Sequence, residues 1–225
     1  MKIKLKDNSE IELQEKANVL DLAKAISEGL ARNAMAGEVN GEVKDLRYEL
    51  KEGDQVNILT FDSENGKKAY WHTTSHILAQ AVKRLFPDVK LAIGPAIENG
   101  FYYDFDVEKP FSEEDLQKLE AEIKKIIKED LEIKRFALSR EEALKLMKER
   151  KEDYKVELIE ELPEGEEISF YEQGDFVDLC AGPHLMSTGK VKAVKLLSSS
   201  GAYWRGDEHN KMLQRIYGVS YPKAS

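Results

Sequence analysis

The chain has 225 residues, with 43 Asp and Glu against 34 Lys and Arg, four histidines and one cysteine. That length buries a sizeable core and divides most naturally into two domains. The single cysteine excludes an internal disulfide and fits a reducing cytosol, and no apolar run approaches the roughly 18 residues that would mark a membrane helix. The opening Met-Lys-Ile-Lys-Leu-Lys alternates like a strand instead of building a signal peptide, so a cytoplasmic protein without a membrane partner is expected.

Residues 1–62 read as a small independent domain. Ile3 and Leu5 alternate with lysines, Asp7-Asn8 supplies a turn, and Ile11 and Leu13 alternate again, which predicts a hairpin. Asn18 can cap a helix carrying Val19, Leu22, Ala23, Ile26 and Leu30 on one face. A short strand near Glu38-Val39, the turn Asn40-Gly41 and a last strand Gln55–Phe61 follow. Hairpin, helix and two further strands predict a ubiquitin-like β-grasp. It offers no nucleophile or ligand cluster, so this module should bind or position, not catalyse.

The polar stretch Asp62–Lys68 contains Asn-Gly and marks a boundary, leaving 63–225 as a larger α+β domain with a mainly antiparallel sheet packed by helices. Residues 69–86 predict an amphipathic helix ending at Pro87. Ile77, Leu78, Ala81, Val82 and Leu85 gather on one side, and His72 and His76 lie one turn apart near the other. Leu91–Ile93 reads as a short strand and Gly94-Pro95 as a corner. In Phe101–Val107 the residues Phe101, Tyr103, Phe105 and Val107 share a strand face, where a tyrosine at its end could bind a base or ribose. Ser112 with Asp115 forms a capping box for a helix through Ile127, and Ser139 with Glu142 caps another to about Arg150. Tyr154–Ile159 looks like a strand in which Lys155 is solvated. Strands at Ile168–Tyr171 and Phe176–Leu179 deliver Asp178, Cys180 and His184 at their end, where loops on a rigid sheet commonly carry chemistry. Val191–Leu197, Tyr203-Trp204 and Met212–Val219 complete the sheet, joined by Ser198-Ser-Ser-Gly201 and Gly206-Asp207. No closing element follows, as expected of a fragment of something longer.

Charge is unevenly spread. Residues 98–178 hold 13 Lys and Arg against 26 Asp and Glu, whereas residues 189–225 hold 7 against 2. The acidic middle reads as solvated helix faces, and the basic stretches on either side of it, residues 67–97 and 189–225, suit a phosphate backbone. Three histidines and the sole thiol fall into two tight pairs, His72-x3-His76 and Cys180-x3-His184. Those four could hold one tetrahedral Zn²⁺, or line a metal-free hydrolytic pocket with imidazole and thiol. Thr73 stands where a zinc peptidase has its glutamate, which argues against a peptidase.

The segments HTTSHILAQAVKRLFP (72–87), LAIGPAIENGFYYDF (91–105), DLCAGPH (178–184) and GAYWRGDEHNKMLQRIYG (201–218) resemble the N-terminal half of bacterial threonyl-tRNA synthetases. The resemblance covers the whole chain, with residues 1–62 similar to the TGS domain and 63–225 to the editing domain. Alanyl-tRNA synthetase editing domains share the two pairs, but not the N-terminal module or the GAYWRGD run in this setting.

The resemblance implies hydrolysis of serine wrongly esterified to the threonine tRNA. Serine lacks one methyl of threonine, and a missing methyl is worth only ~1–3 kcal/mol, roughly 10–200-fold, so a second sieve is needed. Carried over by position, His72 and Lys155 position and activate the water, while Tyr103, His76, Asp178, Cys180 and His184 shape the pocket for serine and the terminal adenosine. Implied partners are tRNA(Thr) and the 3′ end of Ser-tRNA(Thr), with serine or seryl-adenosine analogues as ligands. The relatives imply a metal-free reaction, the alanyl type a Zn²⁺ on His72, His76, Cys180 and His184. ATP, a further zinc and the homodimer interface are expected in a catalytic part beyond this chain, which itself is compatible with a monomer and should not aminoacylate. Ala181 departs from the family, which often has arginine there; Lys190, Lys192 or Lys195 are then left to hold RNA. Two other readings compete: a zinc-dependent alanyl-type deacylase, and a non-catalytic RNA-binding fragment with a structural zinc site.

Overall fold

The computed structural model describes residues 1–223, which fall into two compact units: Met1–Tyr70 with Gly182–Met186, and Trp71–Ala181 with Ser187 onward. In the first, β1 (Lys2–Leu5) and β2 (Glu10–Glu12) form the expected hairpin, pairing Ile3 with Ile11. Asn18 accepts from the Asp21 amide at 2.8 Å and Asp21 accepts from the Asn18 amide at 3.0 Å, a capping box that starts α1 (Val19–Ile26). The helix stops sooner than its apolar stripe suggests. Ser27 turns extended and caps a separate α2 (Glu28–Asn33), accepting from the Leu30 amide. β3 (Ala36–Val39) and β4 (Glu42–Lys44) are joined by Asn40-Gly41, both at positive φ, the backbone that a tight hairpin turn requires. β5 (Gln55–Leu59) then runs parallel to β1, giving the order β2-β1-β5-β3-β4. Val19, Leu22, Leu46, Leu50 and Val56 pack beneath this sheet. The unit is the β-grasp that local turn and cap chemistry predicted.

α3 (Glu64–Leu85) begins within the stretch read as a polar link and supplies the second unit from Trp71 onward. The strands β6 (Lys90–Leu91), β7 (Ala96–Ile97) and β8 (Gly100–Asp106) follow it. Next come α4 (Glu113–Glu129), β9 (Ile133–Leu138), α5 (Arg140–Glu149) and α6 (Asp153–Glu161). β10 (Ile168–Gln173), β11 (Phe176–Leu179), β12 (Ala193–Tyr203) and β13 (Met212–Tyr221) complete the unit. They form two antiparallel sheets instead of one, ordered β11-β10-β9 and β12-β13-β8-β6, with β7 on β8. Mixed helices and antiparallel sheets make the chain α+β. No helix among the described residues is long and apolar enough to cross a membrane.

Two segments differ from their expected structure. Tyr154–Ile159 lies in α6, not in a strand. Its last carbonyls, orphaned at any helix C-terminus, are taken by the Arg140 guanidinium, which donates to Ile159 and Leu162. Ser198-Ser-Ser-Gly201 is not a link but the middle of β12, held by pairing with Gln214–Tyr217 beyond a bulge at Leu196/Ser198. The serines look loop-like in composition, and the ladder to β13 overrides that preference.

Candidate active site

Asp178 organises the polar interior of the second unit. It projects from β11, is 1% exposed, and has a different partner type on each side. Lys155 Nζ lies 2.9 Å from its Oδ1. The Tyr103 hydroxyl donates to Oδ2 at 2.6 Å, and His76 Nε2 is 3.3 Å from the same oxygen. Lys155 Nζ also stands 5.4 Å from the Tyr103 ring centre. Four elements therefore meet at one carboxylate: α3, β8, α6 and β11. Lys155 is buried, against the expectation of a solvated side chain, because a buried ammonium persists only with a paired anion, and Asp178 supplies it.

Electrostatics set the protonation of the cluster. Burial opposes charge on Asp178, yet Lys155, His76 and the Tyr103 hydroxyl together outweigh it and hold its carboxyl below the ordinary range. Burial drives the His76 imidazole down to about 4, more than the attraction of Asp178 can restore. Burial, then Asp178, pushes Tyr103 well above the usual phenol value. At neutral pH the interior thus holds a carboxylate paired with Lys155, a neutral imidazole and a neutral phenol. Glu152 stands beside this group, is buried, and is raised to about 6 by burial despite Lys83 at 3.6 Å.

His72 lies one turn before His76 and is half-buried. It and Cys180 each offer a ligand-type atom within 4.8 Å of the other, a group to which His76 contributes no ring nitrogen. Cys180 follows β11 directly, its amide bonded to the Ser169 carbonyl and its carbonyl accepting from the Ser169 hydroxyl at 2.7 Å. His184 belongs to the segment Gly182–Met186 of the first unit and is fully buried. Sequence periodicity set the histidines opposite the apolar stripe of α3, but that side is enclosed as well, with His76, Ala79 and Gln80 all buried, and the flank nearer the stripe is tied down by hydrogen bonds. The Thr74 and Ser220 hydroxyls share a 2.8 Å hydrogen bond, Trp71 donates to the Ser220 carbonyl, and Ser75 donates to the carbonyls of His72 and Gly94.

Gly94 and Ser75 carry weight that their sequence did not signal. The Gly94 backbone sits against the Tyr103 ring so closely that a Cβ would overlap it. Gly94→Ala is expected to displace the Tyr103 ring and lower stability by about 1–3 kcal/mol, the usual penalty of overpacking; denaturant midpoints check this. A cavity of about 300 Å³ opens further along α3, bounded by Gln80, Lys83, Arg84, Arg150, Glu152 and Phe176. None of the seven sequence-derived site residues lines it.

The basic C-terminal stretch largely pairs with the acidic middle of the chain. Arg215 makes a two-pronged bridge to Asp104 at 2.8 and 3.0 Å, Lys211 lies 2.7 Å from Asp106, Lys195 3.5 Å from Glu120, and Arg205 pairs with Glu161. The charge separation seen in sequence is thus partly neutralised within the fold.

Residues 1–60 match the TGS domain, and residues 168–217 match the threonyl and alanyl tRNA synthetase second additional domain. Threonine–tRNA ligase of Acetivibrio thermocellus is 70% identical over the whole chain, and that of Caldanaerobacter subterraneus subsp. tengcongensis 64%. The chain matches the N-terminal region of bacterial threonine–tRNA ligases. It spans 35% of the length of these relatives, and the same holds for the Clostridium perfringens ligase at 63% identity. The TGS match coincides with the β-grasp strands and helices, while the second match begins at β10 and runs through Asp178, Cys180 and His184 into β13.

Proposed function

We propose that this chain is the proofreading part of a threonine–tRNA ligase and hydrolyses the ester of Ser-tRNA(Thr). The observation that carries this reading is the buried Lys155–Asp178–Tyr103–His76 cluster, set beside His72 and Cys180 within a unit that shares the second additional domain of threonyl and alanyl tRNA synthetases. Ester hydrolysis needs an oriented water, a proton acceptor for it and positive charge near the developing oxyanion. His72, the more exposed imidazole, accepts the proton of the attacking water. Lys155, fixed by Asp178, supplies the positive charge that the oxyanion needs. Neutral His76 and Tyr103 hold the carboxylate in place, and with Cys180 and His184 shape the space for serine and the terminal adenosine. The partner is tRNA(Thr).

The reaction is proposed to be metal-free. His76 is committed to Asp178, which argues against the closed four-ligand set of the alternative reading; a catalytic zinc needs only three protein ligands, and metal content decides that case. Ligation of threonine with ATP is assigned to the part of such a ligase outside this chain.

The deciding experiment offers the chain Ser-tRNA(Thr) and Thr-tRNA(Thr) in parallel. Release of serine with threonine largely spared is expected, since a pocket that excludes one methyl sieves in the direction opposite to the synthetic site. Equal cleavage of both, or of neither, would defeat the proposal. One equivalent of zinc in the purified chain, lost together with activity on chelation, would move it to the alanyl type.

A further inference from the structure

We infer that Asp45 and Arg47, in the loop after β4, are positioning residues that hold His184 in register. The segment Gly182–Met186 packs with the β-grasp unit, and its backbone is gripped at consecutive residues. The His184 amide donates to Asp45 Oδ2 at 3.1 Å. Arg47 Nη1 donates to the His184 carbonyl at 3.2 Å, and Nη2 donates to the Leu185 carbonyl at 2.9 Å. Arg47 Nη1 also lies 2.7 Å from Asp45 Oδ1, so the two side chains brace each other. Their side chains are only 18% and 10% exposed, which shields these bonds from water.

The grip has a rigid base. Between the two residues Leu46 is buried in the grasp core. The Leu20 amide bonds to the Leu46 carbonyl and the Val19 amide to that of Tyr48, fastening the turn to the start of α1. On the other side Leu185 is buried and Met186 packs against the same core. These three bonds to the segment go to backbone atoms. A planar guanidinium can serve two successive carbonyls at once, a task that a single ammonium does less well. Both gripping residues fall in the TGS match and the gripped histidine in the synthetase second-domain match.

The grip stands on these hydrogen bonds alone, whereas its effect on hydrolysis rests on the proofreading reading. Arg47→Ala, Arg47→Lys and Asp45→Ala in the full chain test both, by hydrogen–deuterium exchange of the peptide over residues 180–187 and by steady-state hydrolysis of Ser-tRNA(Thr). Losing a charge-assisted hydrogen bond should speed exchange of the 180–187 amides roughly 10–100-fold in the alanine variants, with the β1–β5 amides unchanged. kcat should fall by about 10²-fold, the scale of a misplaced site group, with KM and the unfolding midpoint held and Arg47→Lys intermediate. Unchanged exchange in both alanine variants would overturn the grip. Faster exchange with kcat unchanged would overturn the positioning role. Loss of kcat together with the unfolding midpoint and β1–β5 protection would make the residues merely structural, and overturn it too. If the unaltered chain hydrolyses nothing, the proofreading reading fails, and the exchange result still decides the grip.

Discussion

Replacing Lys155 by methionine is expected to remove deacylation by about 10²–10⁴-fold, the usual contribution of a positioned proton-transfer or charge-stabilising group. It is also expected to lower stability by roughly 3–5 kcal/mol, because Asp178 would stay buried with its counter-charge gone. The two effects have different origins and can be separated. Lys155→Met combined with Asp178→Asn deletes both charges while keeping volume and the acceptor for the Tyr103 hydroxyl. The double variant should recover most of the lost stability, since replacing a whole buried pair is often near neutral. It should remain inactive, because the positive charge is still missing. Urea midpoints for the two single variants and the double, with single-turnover deacylation of each, make the comparison. A single variant as stable as the parent would contradict the burial of the pair. A double variant that still cleaves Ser-tRNA(Thr) would remove Lys155 from the reaction.

That pair also shows where sequence reading stopped. Features set by neighbours in the chain were legible: the Asn18 cap, the Ser112–Asp115 capping box and the Asn40-Gly41 turn all form as expected. The histidine pair was placed on the right helix, with Tyr103 on the right strand. What a residue meets far along the chain was not legible. Tyr154, Val156 and Leu158 alternate like a strand, and nothing local to Lys155 announces Asp178, which arrives on β11. Thr73, Thr74 and Ser75 drew no reading from their pattern, yet all three are fully buried, Thr74 against Ser220 and Ser75 at the Gly94 corner. The basic C-terminal stretch suggested phosphate, whereas register sets β13 beside β8 and places Arg215 opposite Asp104. Two sheets were merged into one for the same reason. Strand pairing depends on contacts that periodicity cannot see.

Acid should weaken this fold earlier than its carboxylates require, through His76. Its imidazole titrates near 4 when buried and near 6.5 when unfolded. Between those values the unfolded chain takes up a proton that the folded one refuses. Stability from this group is therefore complete above about pH 6.5 and declines as pH falls toward 4. A displacement of that size corresponds to on the order of 3 kcal/mol. Glu152 acts in the opposite sense. Its folded value, raised from 4.5 to about 6, favours the protonated folded state, so its contribution is present below 4.5 and is lost as pH rises through 6. The two slopes nearly cancel in the middle of the window, and the parent protein alone would mislead. His76→Gln removes one titration and keeps the other. Urea unfolding at pH 4, 5 and 6.5 should show the parent losing roughly 3 kcal/mol relative to the variant as acid is added. Parallel curves would mean that His76 is not held neutral. A neutral His76 bears on the proposed hydrolysis as well: it cannot supply charge at physiological pH, which is why the proposal gives the positive charge to Lys155 and the water proton to His72.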